Sequence, residues 1–304
     1  MKITTVISGA YSDRGCVRAE NQDAVFCRSI SDQPAAAHPQ RSPLSLLGLG
    51  RTRKTQPPAA SSRTVLLAAV CDGIGGLERG ELSSGHVVGE MERWFDTLCG
   101  WISPAEAEAG VLFSHFRDAA EAWNASLAAF LAEHELHSGT TFSGFFVVGD
   151  AFCVLNVGDS RVYRYRPGEE SGFRLQQLTE DQCVFREKDG RIRSYLQNYV
   201  GRAHPLEFDS REETLQPGDM LLACTDGFYH QLTETDADGM YASLVGGADP
   251  AAVLAAYAEQ MIARGERDNL SAAAAVFSGN ASAVGGTEVS AAERMEADAE
   301  ITRL

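Results

Sequence analysis

Three aspartates stand where an apolar, strand-like run gives way to a turn. Asp72 and Asp226 each follow such a run and precede a glycine, while Asp159 follows a third run. Carboxylate oxygens are the ligands that hard divalent cations prefer, and a neighbouring glycine lets the backbone approach a ligand closely. Aspartate-glycine is also common in ordinary turns, so Asp72 alone leaves a metal site and a turn both open.

Two further aspartates, Asp23 and Asp268, lie beside apolar runs in the contexts Asn-Gln-Asp and Asp-Asn. If these strand ends converge, the carboxylates would repel one another strongly unless cations separated them. The histidines and cysteines show no zinc-site spacing. The acids therefore favour a site for hard divalent cations, with a chance occurrence of turn residues as the alternative.

Helical periodicity predicts a first helix from Glu81 and a second that runs to about Glu135. The segment 103–106 has the form of a capping box with proline at the first helical position, so the second helix is expected to begin there. A third helix is expected over 251–263, after Asp-Pro. Residues 179–213 are polar and show only a weak helical signal.

Apolar and β-branched residues predict a series of strands, and Gly149-Asp150 predicts a hairpin between two of them. The two neighbouring helices argue against alternating β-α units, so we expect an α+β fold with largely antiparallel sheets. The strands are predicted at 24–27, 65–71, 142–148, 151–157, 161–166, 173–178, 219–224 and 271–277.

The composition is that of a globular protein, with 304 residues, 44% hydrophobic residues and a net charge of −16. This charge argues against nucleic-acid and anionic membrane partners. No apolar run has the length of a membrane span, and the N-terminus lacks a signal-peptide pattern. The seven cysteines are an odd number without metal-ligand spacing, which favours a reducing cytoplasm.

Two segments differ from the rest in composition. Residues 28–63 contain five prolines and six Lys or Arg against the single acid Asp32, which predicts a basic, flexible insert. Its apolar centre, Leu44–Leu49, leaves open that the insert docks on a partner. Residues 278–304 are small, polar and acidic, and we expect a disordered tail.

Seven motifs, in family order over roughly residues 8–277, resemble those of the PPM-type (type 2C) metal-dependent serine/threonine protein phosphatases in their bacterial form. Each motif alone is weak, but seven in register are specific. The motifs lie at Ser12–Arg18 with Asn21–Asp23, Asp72–Gly76, Gly139–Thr141, Asn156–Arg161, Leu178–Asp181, Gly218–Gly227 and Asp268–Ser271.

The resemblance implies a four-layer α-β-β-α sandwich, in which helices flank two mainly antiparallel sheets, as a single domain over 1–277. It implies that Asp72 bridges two divalent ions, Mn²⁺ or Mg²⁺. The Gly73 carbonyl would complete one ion, and Asp226 and Asp268 the other. Asp23 would hold metal-bound waters.

Asp159, with Asp226, matches acids that hold a weaker third metal in bacterial relatives. Arg18 matches the residue that grips the phosphate, and a guanidinium suits this because its planar fork can bind two phosphate oxygens. A surface ion pair with Glu20 or another acid is the alternative for Arg18. In sum, the catalytic residues expected are Arg18 and Asp72.

The implied activity is hydrolysis of phosphoserine and phosphothreonine in proteins by direct attack of a water activated between two cations. The expected partners are phosphoprotein substrates and a cognate serine/threonine kinase, and we expect a monomer. A catalytically silent, phosphoprotein-binding relative is the alternative, and a hydrolase of small phosphomonoesters is a weaker one.

The chain departs from the family pattern at four places. Gln22 stands where many members have Glu, and Ile74 where animal members have a histidine proposed as the general acid. Gln182 replaces a histidine common after Asp181. Residues 183–213, the equivalent of the family's mobile flap, look little like the usual sequence. Because the flap helps to choose substrates, the resemblance says least about which substrates this protein acts on.

Overall fold

Two five-stranded antiparallel sheets lie face to face at the centre of the structure. The computed structural model describes residues 3–31, 64–74, 79–168, 174–188 and 191–279, with only the backbone described at 188 and 191–193. The strands are β1 (Ile3–Asp13), β2 (Asp23–Ser31), β3 (Thr64–Asp72), β4 (Phe142–Val148), β5 (Ala151–Val157), β6 (Arg161–Tyr165), β7 (Leu175–Gln177), β8 (Cys183–Lys188), β9 (Arg191–Leu196), β10 (Asp209–Thr214), β11 (Met220–Cys224) and β12 (Leu270–Gly279).

The first sheet has the strand order β1-β12-β11-β6-β7 and the second the order β10-β5-β4-β3-β2. Strands β8 and β9 form a separate hairpin. Five α-helices are described, and one 3₁₀ turn (Pro104–Glu106) joins the first two. The helices are α1 (Gly80–Trp101), α2 (Ala109–Glu133), α3 (Asp226–Tyr229), α4 (Glu234–Val245) and α5 (Pro250–Ala263).

Strand β3 shows why the strands are apolar on both faces. Leu66, Ala68 and Val70 pack between the two sheets, whereas the alternate residues from Val65 to Cys71 pack under α1 and α2. Side chains alternate across a strand, so a sheet covered on both faces needs an unbroken apolar run. Helices α4 and α5 cover the outer face of the first sheet in the same way. The predicted α+β sandwich is confirmed.

Two predictions near the second helix and the flap-like segment are wrong. Ser103 makes no side-chain cap bond, and α2 begins only at Ala109, because the backbone is extended at Ala107 and Glu108. Ala107 is buried in the core under the helices, which accounts for the break. Residues 183–214 form strands β8, β9 and β10 where a weak helical signal was predicted.

Helix α4 was not predicted, although its start carries a readable signal. The Thr233 hydroxyl accepts a hydrogen bond from the Asp236 amide, and the Asp236 carboxylate accepts one from the Thr233 amide. This is a capping box in which aspartate replaces the usual glutamate. A search restricted to glutamate or glutamine at that position overlooks it.

The insert and the tail lie mostly outside the described residues. Strand β2 continues through Ser31, so residues 28–31 of the predicted insert are strand, and β12 continues to Gly279. The remainder, 32–63 and 280–304, including the predicted docking segment, is not described. Within the described ranges, no helix combines the length and the apolar character needed to cross a membrane.

The strand register brings the motif-bearing ends together at one edge of the sandwich. Asp23 pairs with Asp72 where β2 begins and β3 ends. In the facing sheet, Cys224 at the end of β11 pairs with both Arg161 and Ala272, close to the starts of β6 and β12. Antiparallel pairing therefore collects acids that are far apart in sequence.

Replacing Phe146 tests the core that supports β3 and β4. Its buried ring lies 5.3 Å from the Phe116 ring and 5.5 Å from the Trp94 ring, centroid to centroid. We expect Phe146→Ala to lower the free energy of unfolding by about 3–5 kcal/mol, because it removes apolar contacts and leaves a cavity. Trp101→Ala, at a ring that is 86% exposed, should change it by less than about 0.5 kcal/mol. Urea unfolding measures both, and equal losses would contradict the layer assignment.

Candidate functional site

The backbone of Asp72 is held by the start of the β4 segment. The Thr141 amide and the Thr140 hydroxyl both donate to the Asp72 carbonyl, at 2.8 and 2.9 Å. The Asp72 amide donates to the Thr141 hydroxyl at 2.9 Å. The Gly139–Thr141 motif therefore fixes the backbone of Asp72, and its side chain lines the cavity at this edge.

Gly73 is a position where no side chain fits. A Cβ atom there would lie 2.3 Å from the Gly80 carbonyl oxygen and 2.7 Å from the Gln22 carbonyl oxygen. The Gly73 amide donates to that same Gln22 oxygen at 3.0 Å. The start of α1 thus packs directly against the loop that carries Asp72. Gly75 and Gly76 of this motif lie outside the described residues.

Asp226 and Asp268 lie on loops that are in direct backbone contact. A Cβ atom on Gly227 would lie 2.1 Å from the Asn269 carbonyl oxygen, so this position also requires glycine. Asn269, to which the sequence analysis gave no role, joins the Asp268 loop to the N-terminal motif. Its side-chain amide donates to the Arg14 and Glu20 carbonyls at 2.8 and 3.0 Å.

Asp23 lies behind the cavity and is almost fully buried. The Thr225 hydroxyl donates to its carboxylate at 2.9 Å, and the Ser271 amide donates to that hydroxyl at 3.1 Å. Sequence reasoning missed Thr225, although it directly precedes Asp226. The structure therefore places Asp23 apart from the cavity wall that carries the other four acids.

The other predicted residues converge on one cavity of about 600 Å³. Four aspartates from four separate segments of the chain line it, together with Arg18 and the hairpin residues 194–196. Ile74 also lines the cavity, and its aliphatic side chain has no group that could donate a proton. The lining is Arg18, Gln22, Asp72, Gly73, Ile74, Thr141, Asp159, Ser194, Tyr195, Leu196, Tyr199, Asp226, Asp268 and Asn269.

Burial and mutual repulsion make ionisation of these acids costly. Burial, followed by repulsion from Asp23 and Asp226, raises the pKa of Asp72 well above its ordinary value. Burial, then repulsion from Asp268, raises the pKa of Asp226. Burial and then Asp226 raise the pKa of Asp159 to about 6. The cavity thus lacks positive charge to match its carboxylates.

Arg18 is the cation found beside these acids. Its guanidinium donates to the Asp268 carboxylate, and this hydrogen bond raises the pKa of Arg18 although burial opposes the shift. The Arg18 side chain is 42% exposed, so the guanidinium is also within reach of solvent. The ion pair forms with a predicted metal ligand, and Glu20, the other acid considered, is not its partner.

The donor set fits divalent cations in charge and chemistry. It consists of carboxylate oxygens and a backbone carbonyl, the ligands of Mg²⁺ and Mn²⁺. Among the described residues, however, no three His, Cys, Asp or Glu side chains stand close enough together to share one ion. A cation held by Asp268 would compete with the Arg18 guanidinium for that carboxylate.

Asp159 is supported by an aromatic and an arginine that the sequence analysis did not single out. The Tyr229 hydroxyl donates to the Asp159 carbonyl at 3.0 Å. The Arg161 guanidinium lies 3.8 Å from the centre of the Tyr229 ring and pairs with both oxygens of Asp181 at 2.9 and 2.7 Å. This unit holds the Asp159 turn against the end of β11.

Gln182 fixes the flap-like segment to the same turn. Its side-chain oxygen accepts hydrogen bonds from the Gly158 amide at 3.0 Å and from the Asn198 amide group at 2.9 Å. Its own amide group donates to the Glu207 carbonyl at 2.8 Å. The glutamine therefore joins the base of the hairpin to the loop that carries Asp159.

The pKa of Asp23 gives a pH-dependent stability for the metal-free protein. Burial raises this pKa to about 7, with hydrogen bonds from Ser271 and Thr225 opposing the shift. Its ordinary value is about 4, so the folded state holds a proton that the unfolded state has released between pH 4 and 7. This contribution is present below about pH 4 and is lost as the pH rises through about 7.

We therefore expect the free energy of unfolding of chelator-treated protein to fall between pH 4 and 7 more steeply in wild type than in Asp23→Asn. The difference in slope should approach ~1.4 kcal/mol per pH unit, the value for one proton. Urea titrations at several pH values measure it. Identical slopes would show that Asp23 has no raised pKa.

Comparison with known proteins agrees with this geometry. The serine/threonine protein phosphatase PstP of Mycobacterium tuberculosis is 28% identical over 240 residues, which is 74% of this chain and 37% of PstP. The chain thus matches only about a third of the length of this curated relative.

Solved structures share the fold. PppA, described as a key regulatory component of T6SS in Pseudomonas aeruginosa, matches with a TM-score of 0.61 and 22% identity over 91% of this chain and 100% of that one. The catalytic domain of PstP in complex with 2 manganese ions matches with a TM-score of 0.61 and 22% identity, over 90% and 99%.

The family described as protein phosphatase 2C matches residues 59–273. This range contains four of the five predicted acidic ligands and both sheets except β1, β2 and the second half of β12. The predicted family is confirmed: the chain belongs to the protein phosphatase 2C family.

Proposed function

We propose that the protein is a metal-dependent serine/threonine protein phosphatase that hydrolyses phosphomonoesters by direct attack of water. The observation that carries this proposal is the convergence of Asp72, Asp159, Asp226 and Asp268 on one cavity beside Arg18. Buried carboxylates without matching positive charge are stable only with counter-cations or with protons. Divalent cations with an arginine beside them suit a phosphoryl-transfer site, because both stabilise the negative charge of the phosphate.

Asp72, Asp226 and Asp268, with the Gly73 carbonyl, would hold two divalent ions, Mn²⁺ or Mg²⁺, and Asp159 would contribute to a weaker third. When bound, these ions supply Lewis acidity that neutralises the phosphate and makes water nucleophilic near neutral pH. Asp23, held by Thr225, would orient water behind the cavity. The structure of the PstP catalytic domain with 2 manganese ions supports this assignment.

Arg18 is placed to exchange partners. It now donates to Asp268, a carboxylate that the proposal assigns to a metal. With Asp268 holding a cation, the guanidinium would be free beside the cavity, and its fork could bind two phosphate oxygens. Ile74 offers no proton, so we infer that water protonates the departing serine or threonine oxygen.

The substrates would be phosphoproteins to which a cognate kinase has added the phosphate. The protein itself would act as a monomer in the cytoplasm. The similarity to PstP, a serine/threonine protein phosphatase, supports this, although the chain corresponds to only 37% of its length. A catalytically silent relative is not favoured, because every predicted acidic ligand is present and no bridging acid has been lost.

Removing Asp72 tests the enzyme proposal. We expect Asp72→Ala to reduce Mn²⁺-dependent hydrolysis of p-nitrophenyl phosphate and of a phosphothreonine peptide by about 100-fold or more, because a carboxylate proposed to hold the ions is lost. Asp96→Ala, at an exposed carboxylate on α1, should keep the wild-type rate. No turnover by wild type with Mn²⁺, or full turnover by Asp72→Ala, would refute the proposal.

Gln22→Glu tests the main departure from the family pattern. Gln22 lines the cavity, so the carboxylate added by Gln22→Glu should strengthen Mn²⁺ binding by about fivefold, equivalent to ~1 kcal/mol. The wild-type protein should be an active phosphatase despite its weaker affinity for Mn²⁺. Isothermal titration with Mn²⁺ measures the change. Gln176→Glu adds the same charge on exposed β7 and should leave the affinity unaltered. Equal affinities for wild type and Gln22→Glu would contradict the expectation.

A further inference from the structure

Glu266 is a buried acid that the proposed metal chemistry does not use. It lies just after α5 and two residues before Asp268, a proposed metal ligand. Its side chain is only 9% exposed, and it is not among the described residues that line the cavity. Burying a carboxylate is costly unless its oxygens find partners, so the contacts of Glu266 indicate what it does.

One carboxylate oxygen of Glu266 holds the backbone of the loop that carries Asp268. This oxygen, Oε1, accepts hydrogen bonds from the Arg267 amide at 2.8 Å and from the Asp268 amide at 3.1 Å. The Asp268 side chain is tied to the same loop, because its Oδ1 accepts from the Asn269 amide at 2.8 Å. These three bonds together limit the directions in which the Asp268 carboxylate can point.

Contacts with three other segments fix the position of Glu266 itself. Its amide donates to the Met261 carbonyl, near the end of α5, at 3.0 Å. Its carbonyl accepts from the thiol of Cys16, two residues before Arg18, at 3.8 Å. Its second carboxylate oxygen lies 3.8 Å from Nδ1 of His230, the residue that follows α3. Glu266 therefore has a defined place between α5, α3 and the N-terminal motif.

We propose that Glu266 is a positioning residue for metal binding, which acts by holding Asp268 in the orientation that a divalent cation requires. This inference rests on the proposed function, in which Asp268 is a metal ligand. Residues that hydrogen-bond to a ligand residue orient it, and their removal commonly weakens metal binding by about 10–100-fold. Without the Glu266 acceptor, the Asp268 backbone would be less constrained, and a cation would have to order it on binding.

Glu266→Gln and Glu266→Met form a matched pair of variants that tests this role. Both lose the charge and keep a side chain of similar length, but only Glu266→Gln retains an oxygen that can accept from the two amides. We expect Mn²⁺ to bind Glu266→Met about tenfold more weakly than Glu266→Gln, because the acceptor is lost. Isothermal titration with Mn²⁺ measures both affinities without any turnover of substrate.

Asp249→Ala is the control for loss of an ordinary structural hydrogen bond. The Asp249 carboxylate also accepts from a backbone amide, that of Ala252 at 2.9 Å, but at the opposite end of α5. This variant should lower the urea midpoint of unfolding, because a helix cap is lost, and should keep the wild-type affinity for Mn²⁺.

Hydrolysis of p-nitrophenyl phosphate gives a second measurement that a purely structural role would not change. Glu266→Met should need more Mn²⁺ than Glu266→Gln for half-maximal hydrolysis. At saturating Mn²⁺ the two rates should approach one another, because Glu266 does not line the cavity and acts only through Asp268.

The outcomes separate this inference from the proposed function. Equal Mn²⁺ affinities for Glu266→Gln and Glu266→Met would overturn the inference and leave the phosphatase proposal intact. If wild type binds Mn²⁺ but hydrolyses neither p-nitrophenyl phosphate nor a phosphothreonine peptide, the proposed function fails, whereas a tenfold difference between the variants would still support the role of Glu266. If Glu266→Met does not fold, Glu266→Ala, which also lacks the acceptor, takes its place in the comparison.

Discussion

Mutual repulsion among buried carboxylates is the constraint on which this structure depends. Asp72, Asp226 and Asp159 each have a raised pKa because the fold removes them from water and places them near one another. A single chain can hold such groups together only if the rest of the fold contributes more stabilising free energy than the repulsion between the carboxylates costs. Two antiparallel sheets with helices on both outer faces supply that stability and present the acids at one edge.

Close backbone contact is the means by which the fold brings the acid-bearing loops together. Gly73 meets the start of α1, and Gly227 meets the Asn269 carbonyl, each at a distance that excludes a Cβ atom. Gly15 has a φ of +71° and lies equally close to the Asp268 carbonyl, where a Cβ atom would be 2.3 Å away. Contacts at these three glycines thus hold the segments together. Asp72, Asp226 and Asp268 lie in these segments and line the same cavity.

The sequence predicted the features that depend on local patterns. Continuous apolar runs placed β3, β4, β5 and β11, and turn residues placed the acids at strand ends. It missed the residues whose role depends on partners distant in the chain. Thr225 bonds to Asp23 across 202 residues, and Asn269 bonds to Arg14 across 255. The hairpin of β8 and β9 was missed because its local pattern is weak. Its charged residues follow neither a helical period nor the apolar pattern of a buried strand.

Arg18 and Asp268 show how one ion pair can link two steps of binding. The Asp268 carboxylate accepts from the Arg18 guanidinium through one oxygen and from the Asn269 amide through the other. A divalent ion would compete with the guanidinium for this carboxylate, because its Coulomb attraction is stronger than that of a single positive charge. Metal binding would therefore release Arg18 at the place where a phosphate must arrive. In the absence of metal, the same bond cancels one negative charge of the cavity and occupies the guanidinium that we propose binds the phosphate. Metal and phosphate binding should then be cooperative, because each is favoured by the same change of partner.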